Sequence, residues 1–127
     1  LEDTGYAERQ RELAAGVLAR IRHVATENQR VRDTAAALER RELGGLGRLF
    51  RESHRSLRDD YEVSTPRLDS LVECAYEAGA LGARLTGGGF GGSVVVLSER
   101  DRVQELLGRL GGRVVRASDG AHELTRD

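Results

Sequence analysis

Residues 86 to 92 read Thr86-Gly87-Gly88-Gly89-Phe90-Gly91-Gly92, and the strand-like run SVVVL follows at once. A second short strand-like run, LGARL at residues 81–85, lies immediately before them. Glycine loses more conformational freedom on folding than any other residue, so a dense cluster destabilises a fold unless the backbone requires it. We therefore expect either left-handed backbone angles or a surface that a ligand approaches closely. The backbone amides of such a loop commonly bind an anion, most often phosphate.

Three known glycine-rich phosphate motifs can be compared with this stretch. The pattern GxGxxG from Gly87 to Gly92 matches the dinucleotide fingerprint, but that fingerprint leads into a helix and here a strand-like run follows. The Walker A loop requires a lysine, and the chain contains none. The protein-kinase loop GxGxxGxV fits best because it joins two strands, yet the H-R-D and D-F-G motifs of protein kinases are absent from the sequence. A glycine-rich hairpin turn without a ligand is the alternative.

The composition excludes several classes of partner and location. The chain has 127 residues, the size of one domain, and its net charge of −1 provides no bulk field for nucleic acid or anionic membranes. No apolar run approaches the roughly 18 residues of a membrane span. The single cysteine, Cys74, cannot form an internal disulfide, so we expect a cytoplasmic protein. The chain contains no Met, not even at position 1, which indicates a piece of a longer protein.

Hydrophobic spacing predicts one long helix from about Tyr6 to Glu42 at the start of the chain, with a break near Gly16 as the alternative. Apolar residues recur at intervals of three and four along one stripe of this helix. The stripe consists of Leu13, Ala14, Val17, Leu18, Ile21, Val24, Ala25, Asn28, Val31, Ala35 and Leu38. Glu and Arg fill the opposite face, where we expect them to pair three and four residues apart.

Two shorter helices follow the glycine-rich residues 44–47, which we expect to loosen the junction after the long helix. The first carries His54 near its end, where a lone histidine is more often a packing or capping residue than a catalyst or a metal ligand. The second begins with Thr65 as its N-cap and Pro66 at its first helical position, and it ends at Gly79.

The remaining pattern predicts strands at residues 82–86 and 93–98 and a last short strand at residues 113–117. Between them it predicts a helix that starts at residues 98–101 and ends at Gly111-Gly112, with Val103, Leu106, Leu107 and Leu110 as its apolar face. The glycine loop between the first two strands makes them an antiparallel hairpin. The fold class that follows is α+β: two layers, with an antiparallel sheet of three or four strands packed on helices and preceded by a long helix. The strand–strand–helix–strand tail is most of a ferredoxin-like unit.

Two adjacent carboxylates, Asp59 and Asp60, are the candidate metal ligands, because Mg²⁺ prefers oxygen ligands. A solvated polar loop before the next helix is the favoured alternative. A further possibility is that this loop lines a cleft and positions its neighbours through backbone contacts.

Residues 52–97, from ESHRSLRDDYEVS to TGGGFGGSVVVL, resemble the C-terminal part of galactokinases, which belong to the GHMP small-molecule kinases. The glycine loop is similar to the third signature motif of that superfamily. Residues 22–28, RHVATEN, and residues 1–9, LEDTGYAER, resemble two further galactokinase segments. The chain departs from these kinases by lacking a helix-containing segment between them.

The resemblance implies a GHMP kinase C-terminal domain at residues 21–127, with residues 1–20 leading out of an N-terminal domain that the chain lacks. It implies transfer of the γ-phosphoryl group of ATP to the C1 hydroxyl of galactose or a related aldose. The catalytic residues and the ligands of Mg²⁺ belong to the N-terminal domain of that family. We therefore expect no catalytic residue and no metal ligand in this chain, and no activity from the chain alone.

The resemblance also assigns roles to particular residues of this chain. Tyr6 matches a tyrosine that hydrogen-bonds the sugar, although Ala7 stands where an asparagine usually follows. Residues 86–92 are expected to close the active-site cleft and to shape the floor under the phosphates and the sugar. Phe90 is expected to anchor that loop by packing.

Two alternatives from other functional classes stay open. A ferredoxin-like domain with a glycine-rich hairpin also suits a free-standing small-molecule-binding or regulatory module. A helical scaffold built on residues 6–42 would make the glycine loop incidental.

Overall fold

The computed structural model describes the backbone of residues 3–117 and the side chains of residues 11–117. It is an α+β domain rich in helix, as the sequence predicts. Its elements in chain order are α1 (Asp3–Arg40), α2 (Leu43–Asp59), α3 (Pro66–Glu77), β1 (Gly82–Thr86), β2 (Ser93–Leu97), a 3₁₀ turn (Arg100–Arg102) and α4 (Val103–Leu110). The tail after residue 117 lies outside the described residues.

The long helix α1 runs without interruption, which confirms the prediction of one helix. It packs against α2 with a face that includes His23, Glu27 and Ala37, while the apolar stripe that defines the helix in the sequence is exposed. The expected pairing along the polar face is present between Glu27 and Arg30, whose atoms lie 2.7 Å apart. The contact of α1 with the rest of the domain is therefore largely polar.

The glycines at residues 44–47 lie inside the first turns of α2 and do not form a loose junction, which corrects the sequence expectation. A Cβ on Gly47 would overlap the carbonyl oxygen of Leu81 and lie 3.0 Å from its carbonyl carbon. On the strand side, a Cβ on Gly82 would lie 3.0 Å from the Cβ of Phe50. The two glycines thus allow α2 and the start of β1 to approach each other closely.

The helix α3 follows its sequence signals. The hydroxyl of Thr65 accepts a hydrogen bond from the amide of Leu68 at 3.3 Å, and Pro66 is the first helical residue. Leu68, Val72 and Ala75 are buried. These contacts confirm the predicted start and the predicted buried stripe of the helix.

The strands β1 and β2 pair antiparallel, from Gly82 opposite Leu97 to Thr86 opposite Ser93. The predicted hairpin is therefore confirmed. Beneath the hairpin lies an apolar cluster formed by Leu57, Val63, Leu68 and Leu85, with Val94 packed against it. This cluster joins the hairpin to α2 and α3.

The predicted last strand at residues 113–117 is wrong, and the described residues contain a two-stranded sheet rather than three or four strands. Two glycines with left-handed angles, Gly111 and Gly112, turn the chain after α4. A groove of about 920 Å³ separates the following residues from β2, and both Val114 and Val115 are exposed. A strand needs a neighbour that accepts and donates its backbone hydrogen bonds, and the described residues show no such bonds for this segment.

Candidate functional site

The glycine loop, residues 87–92, connects β1 to β2 and is open to solvent along most of its length. The backbone angle φ is positive at four consecutive residues, Gly89 (82°), Phe90 (58°), Gly91 (131°) and Gly92 (91°), and also at Gly87 (81°). Residues with a side chain adopt such angles only at a cost, so this path requires glycine at nearly every position. The density of glycines therefore has a conformational cause.

The loop rests on the buried residue Val63, which lies between α2 and α3. The amide of Phe90 donates a hydrogen bond of 2.7 Å to the carbonyl oxygen of Val63. A Cβ on Gly89 would overlap that oxygen and lie 2.7 Å from the Cβ of Val63. The position of the loop thus depends on a residue that lies 26 positions earlier in the sequence.

The side chain of Phe90 does not anchor the loop, which corrects the sequence expectation. It is 76% exposed. The anchoring contact is made by its backbone amide instead. With its amide bonded to Val63 and a φ of 58°, Phe90 directs its ring into solvent.

The other amides of the glycine loop are available to a ligand. Within the part of the chain that the structure describes, the amides of Gly87, Gly88, Gly91 and Gly92 have no hydrogen-bond acceptor. Successive backbone amides in left-handed or turn conformations form concave sites for anions. These four amides make the loop a candidate site for an anion.

The segment that carries Val63, residues 60–63, is called the seat segment below. All polar groups of its first residue, Asp60, are hydrogen-bonded. The Asp60 amide donates to the carbonyl of Ser56, and the Asp60 carbonyl accepts from Arg20. The Asp60 carboxylate accepts from Arg22 at 3.0 Å and from the Ser56 hydroxyl at 3.2 Å. Glu62 also contacts Arg20 and has a positive φ of 57°. The seat segment is thus tied to α1.

The same contacts bear on the metal interpretation of this loop. The carboxylate of Asp59 is paired with Arg58, at 2.7 Å, and that of Asp60 with Arg22. Both carboxylates are therefore already paired with arginines, one on α2 and one on α1. Across residues 11–117, no group of three or more potential ligands is arranged to hold a metal ion.

His23, on α1, packs against the seat segment through Tyr61. Its ring stacks on that of Tyr61 with the centroids 4.6 Å apart, and its Nδ1 lies 2.9 Å from the hydroxyl of Ser56. The Ser56 hydroxyl donates its proton to Asp60, so His23 donates through Nδ1. Burial lowers the pKa of His23, an effect that the charges of Glu27 and Asp60 oppose in part. The neutral ring fits this contact.

His54, on α2, joins three elements. Its Nδ1 accepts a hydrogen bond of 3.2 Å from the amide of Leu85 on β1, and its Nε2 lies 3.0 Å from the carboxylate of Asp69 on α3. The first contact requires an unprotonated Nδ1, so Nε2 carries the proton that Asp69 accepts. Burial lowers the pKa of His54, although Asp69 raises it. His54 is a packing residue, as the sequence suggests.

A second polar contact ties β1 to the helices. The carboxylate of Glu27 on α1 accepts from the hydroxyl of Ser53 at 2.5 Å, from Arg30 at 2.7 Å and from Arg84 on β1 at 3.0 Å. Burial raises the pKa of Glu27, but the hydrogen bonds from Ser53 and Arg30 and the charge of Arg84 outweigh it, so the pKa lies below its usual value. The hairpin is thus fixed to α1 and α2 by charge as well as by the apolar cluster.

Tyr6, the candidate sugar contact, belongs to the first turns of α1, and its side chain lies outside the described residues. Among the predicted site residues, the structure therefore brings together only residues 86–92, at one end of the hairpin. None of the helices described combines the length and the apolar character that crossing a bilayer requires.

Sequence reasoning missed Val63 and Arg20 as site-supporting residues. Both act across the fold, Val63 on Phe90 and Arg20 on Asp60 and Glu62. A single sequence shows no periodicity that links positions so far apart. The one available signal was the possibility that the loop around Asp60 positions its neighbours through backbone contacts, and the carbonyl of Val63 does so.

Comparison with known families matches residues 34–116 of this chain to the model described as GHMP kinases C terminal. The chain is 52% identical over 87 residues to a galactokinase of Mycobacterium tuberculosis, which covers 68% of this chain and 24% of that protein. It is 59% identical over 89 residues to a galactokinase of Bos taurus, and this match covers 69% of this chain and 23% of that protein. The chain thus spans about a quarter of the length of these relatives.

Two solved structures are similar to this fold. A Lactococcus lactis galactokinase in complex with galactose superimposes with a TM-score of 0.71 and 41% identity, covering 76% of this chain and 25% of that one. An L. major mevalonate kinase in complex with R-mevalonate superimposes with a TM-score of 0.64 and 31% identity. That match covers 70% of this chain and 27% of the other chain. Most of this fold therefore resembles parts of two kinases that were solved in complex with different small molecules.

Proposed function

We infer that this chain, which belongs to the family of GHMP kinase C-terminal domains, is part of a galactokinase-type sugar kinase. The proposed reaction is transfer of the γ-phosphoryl group of ATP to the C1 hydroxyl of galactose or a related aldose. Catalysis of phosphoryl transfer rests on positioning and on stabilisation of charge. Residues 1–20 would lead out of an N-terminal kinase domain, and residues 21–127 would form the C-terminal domain, in a cytoplasmic protein.

The glycine loop is the observation that carries the proposal. Several of its amides have no acceptor and are therefore free to bind an anion, and the contact with Val63 fixes the position of the loop. The proposed role of residues 86–92 is to bind or shield the phosphates while the sugar lies beside them. Tyr6 is the proposed sugar contact, with its phenol as hydrogen-bond donor and its ring as an apolar face.

The Mg²⁺ that accompanies ATP in such reactions does not fit the residues described here. Asp59 and Asp60, the adjacent carboxylates, are paired with arginines. The proposal therefore places the metal ligands and the catalytic residues in the remainder of the protein, and no step is assigned to this chain beyond holding the phosphates and the sugar.

The decisive experiment uses the intact protein that carries this chain. ATP consumption is measured with galactose, with other aldoses and with R-mevalonate as acceptors. We expect turnover with galactose or a related aldose and none with R-mevalonate. Turnover with R-mevalonate alone, or no acceptor-dependent turnover, would overturn the proposal.

A second measurement tests the division of labour. The 127-residue chain alone should consume no ATP in the presence of galactose, because it supplies neither the proposed catalytic residues nor the metal ligands. Galactose-dependent turnover by this chain would refute that division. If the intact protein binds sugar but consumes no ATP, a regulatory module is favoured instead.

A further inference from the structure

The seat segment, residues 60–63, contacts the glycine loop on one side and α1 on the other. On the loop side, the carbonyl of Val63 accepts from the amide of Phe90. On the helix side, Arg20 donates to both the Asp60 carbonyl and the Glu62 carboxylate. One guanidinium therefore spans the segment and lies within three residues of the carbonyl that holds the loop.

The backbone of the seat segment needs such support. Glu62 has a φ of 57°, a left-handed angle that is unfavourable for a residue with a side chain. Residues in strained conformations persist where the surrounding structure over-determines them. The contacts of Arg20 with the Asp60 carbonyl, two residues earlier, and with the carboxylate of Glu62 itself fix the angle that directs Val63 towards the loop.

The planar guanidinium is suited to this task. It presents several N–H donors in a rigid fork, so a single side chain can bind a carbonyl and a carboxylate at once. Lysine carries the same charge but lacks the fork. The neighbouring Arg22 binds only the Asp60 carboxylate, and His23 supports Tyr61 by stacking. Arg20 is thus the α1 residue that contacts the seat segment on both sides of Tyr61.

We propose that Arg20 is a positioning residue: it holds the seat segment so that Val63 fixes the glycine loop in the geometry needed for phosphoryl transfer. The catalytic part of this inference rests on the proposed function. The structural part, from Arg20 through Val63 to Phe90, does not. The two parts are therefore tested by different readouts on the same protein.

The structural readout is hydrogen exchange in the intact protein, followed by mass spectrometry on the peptide that covers residues 86–92. Phe90 is the loop amide that is hydrogen-bonded to Val63, so it should exchange slowly. In Arg20→Met, we expect its exchange to become about three- to tenfold faster. Peptides from α3 should exchange as in the wild type.

The matched control is Arg32→Met, on the same helix. Arg32 contacts only Gln29 among the described side chains and does not touch the seat segment. In Arg32→Met, the glycine loop should exchange at the wild-type rate. Equal exchange of the Phe90 amide in the wild type and in Arg20→Met would overturn the proposal.

The catalytic readout is steady-state kinetics. We expect Arg20→Met to lower kcat by between about ten- and a hundredfold, because a small displacement of a positioning group has a large effect on rate. Arg20→Lys should recover part of kcat. A structural role alone would instead lower the amount of folded enzyme and leave kcat per folded molecule unchanged.

The outcomes separate the two proposals. If the wild type shows no acceptor-dependent turnover, the proposed function fails, while hydrogen exchange still decides whether Arg20 positions the loop. If the wild type is active and Arg20→Met has the same Phe90 exchange rate and the same kcat, the positioning role of Arg20 is refuted and the proposed function stands. Should Arg20→Met not fold, Glu62→Gln removes only the charge of one acceptor and should raise exchange at Phe90 in the same direction. Exchange at the wild-type rate in that variant would count against the proposal.

Discussion

Gly89 lies against Val63 so closely that the space for a side chain at position 89 is taken by the Val63 backbone. The contact combines two constraints on one residue, a φ of 82° and the absence of room for a Cβ. Neither constraint applies to Gly88, whose added Cβ would meet nothing within 4 Å. The two neighbouring glycines of one loop therefore differ sharply in what they tolerate.

We expect Gly89→Ala to lower the free energy of unfolding by about 2–4 kcal/mol, because the new Cβ forces the loop off Val63 and occupies a left-handed angle. It should also abolish activity in the intact protein. Gly88→Ala is the matched control and should change the free energy of unfolding by less than about 0.5 kcal/mol. Urea unfolding of both variants checks this, and equal losses would contradict the assignment of Val63 as the seat.

Replacement of Phe90 tests which part of that residue holds the loop. Because its side chain is 76% exposed and only its amide is bonded, Phe90→Ala should change the free energy of unfolding by less than about 0.5 kcal/mol. Urea unfolding at neutral pH measures this directly. A loss of about 3 kcal/mol or more, typical of a buried phenylalanine, would restore the packing role that the sequence suggests.

The sequence predicts those parts of the fold whose signals are local. The capping hydroxyl of Thr65 lies three residues from the amide it accepts, and the hairpin follows from two apolar runs joined by glycines. The left-handed backbone angles of the glycine loop were likewise predictable, because its composition departs so far from that of an ordinary turn. Each of these features lies within a few residues of its cause.

The features that sequence reasoning missed are contacts between distant positions. The resemblance implies that Phe90 anchors the loop by packing, and only the fold shows that Val63 accepts a hydrogen bond from its amide instead. The strand at residues 113–117 has the right pattern but no paired neighbour in the described residues, since Gly111 and Gly112 direct it away from β2. Strand formation is decided by the neighbour as much as by the segment itself.

Gly47 provides a stability test that is independent of the candidate site. A Cβ at this position would overlap the carbonyl oxygen of Leu81, so Gly47→Ala should cost about 2–4 kcal/mol although alanine favours helix. Gly44, in the same helix, has nothing within 4 Å of an added Cβ, and Gly44→Ala should raise the free energy of unfolding by up to about 1 kcal/mol. Urea unfolding of the pair measures the difference, and stabilisation by both substitutions would show that α2 lies farther from β1.

The two buried histidines predict how stability depends on pH. Burial lowers the pKa values of His23 and His54 below their ordinary value of 6.5, so the unfolded chain binds more protons than the folded one as pH falls below 6.5. Their contribution to stability is therefore complete above that pH and is lost below it, by at most about 1.4 kcal/mol per pH unit for each group. The lowered pKa of Glu27 affects stability only below pH 4.5, the ordinary pKa of this group, and so in a separate pH range from the histidines.

The measurement is urea unfolding of the 127-residue chain at several values between pH 7.5 and pH 5. The wild type should lose stability steadily below pH 6.5. In His23→Asn, the amide of Asn can still donate to Ser56, while the titrating group is gone, so the loss below pH 6.5 should be smaller even if the variant is less stable at pH 7.5. If the two proteins lose stability in parallel, burial does not keep His23 neutral, and the polar contact of α1 with Ser56 and Asp60 forms with a charged ring.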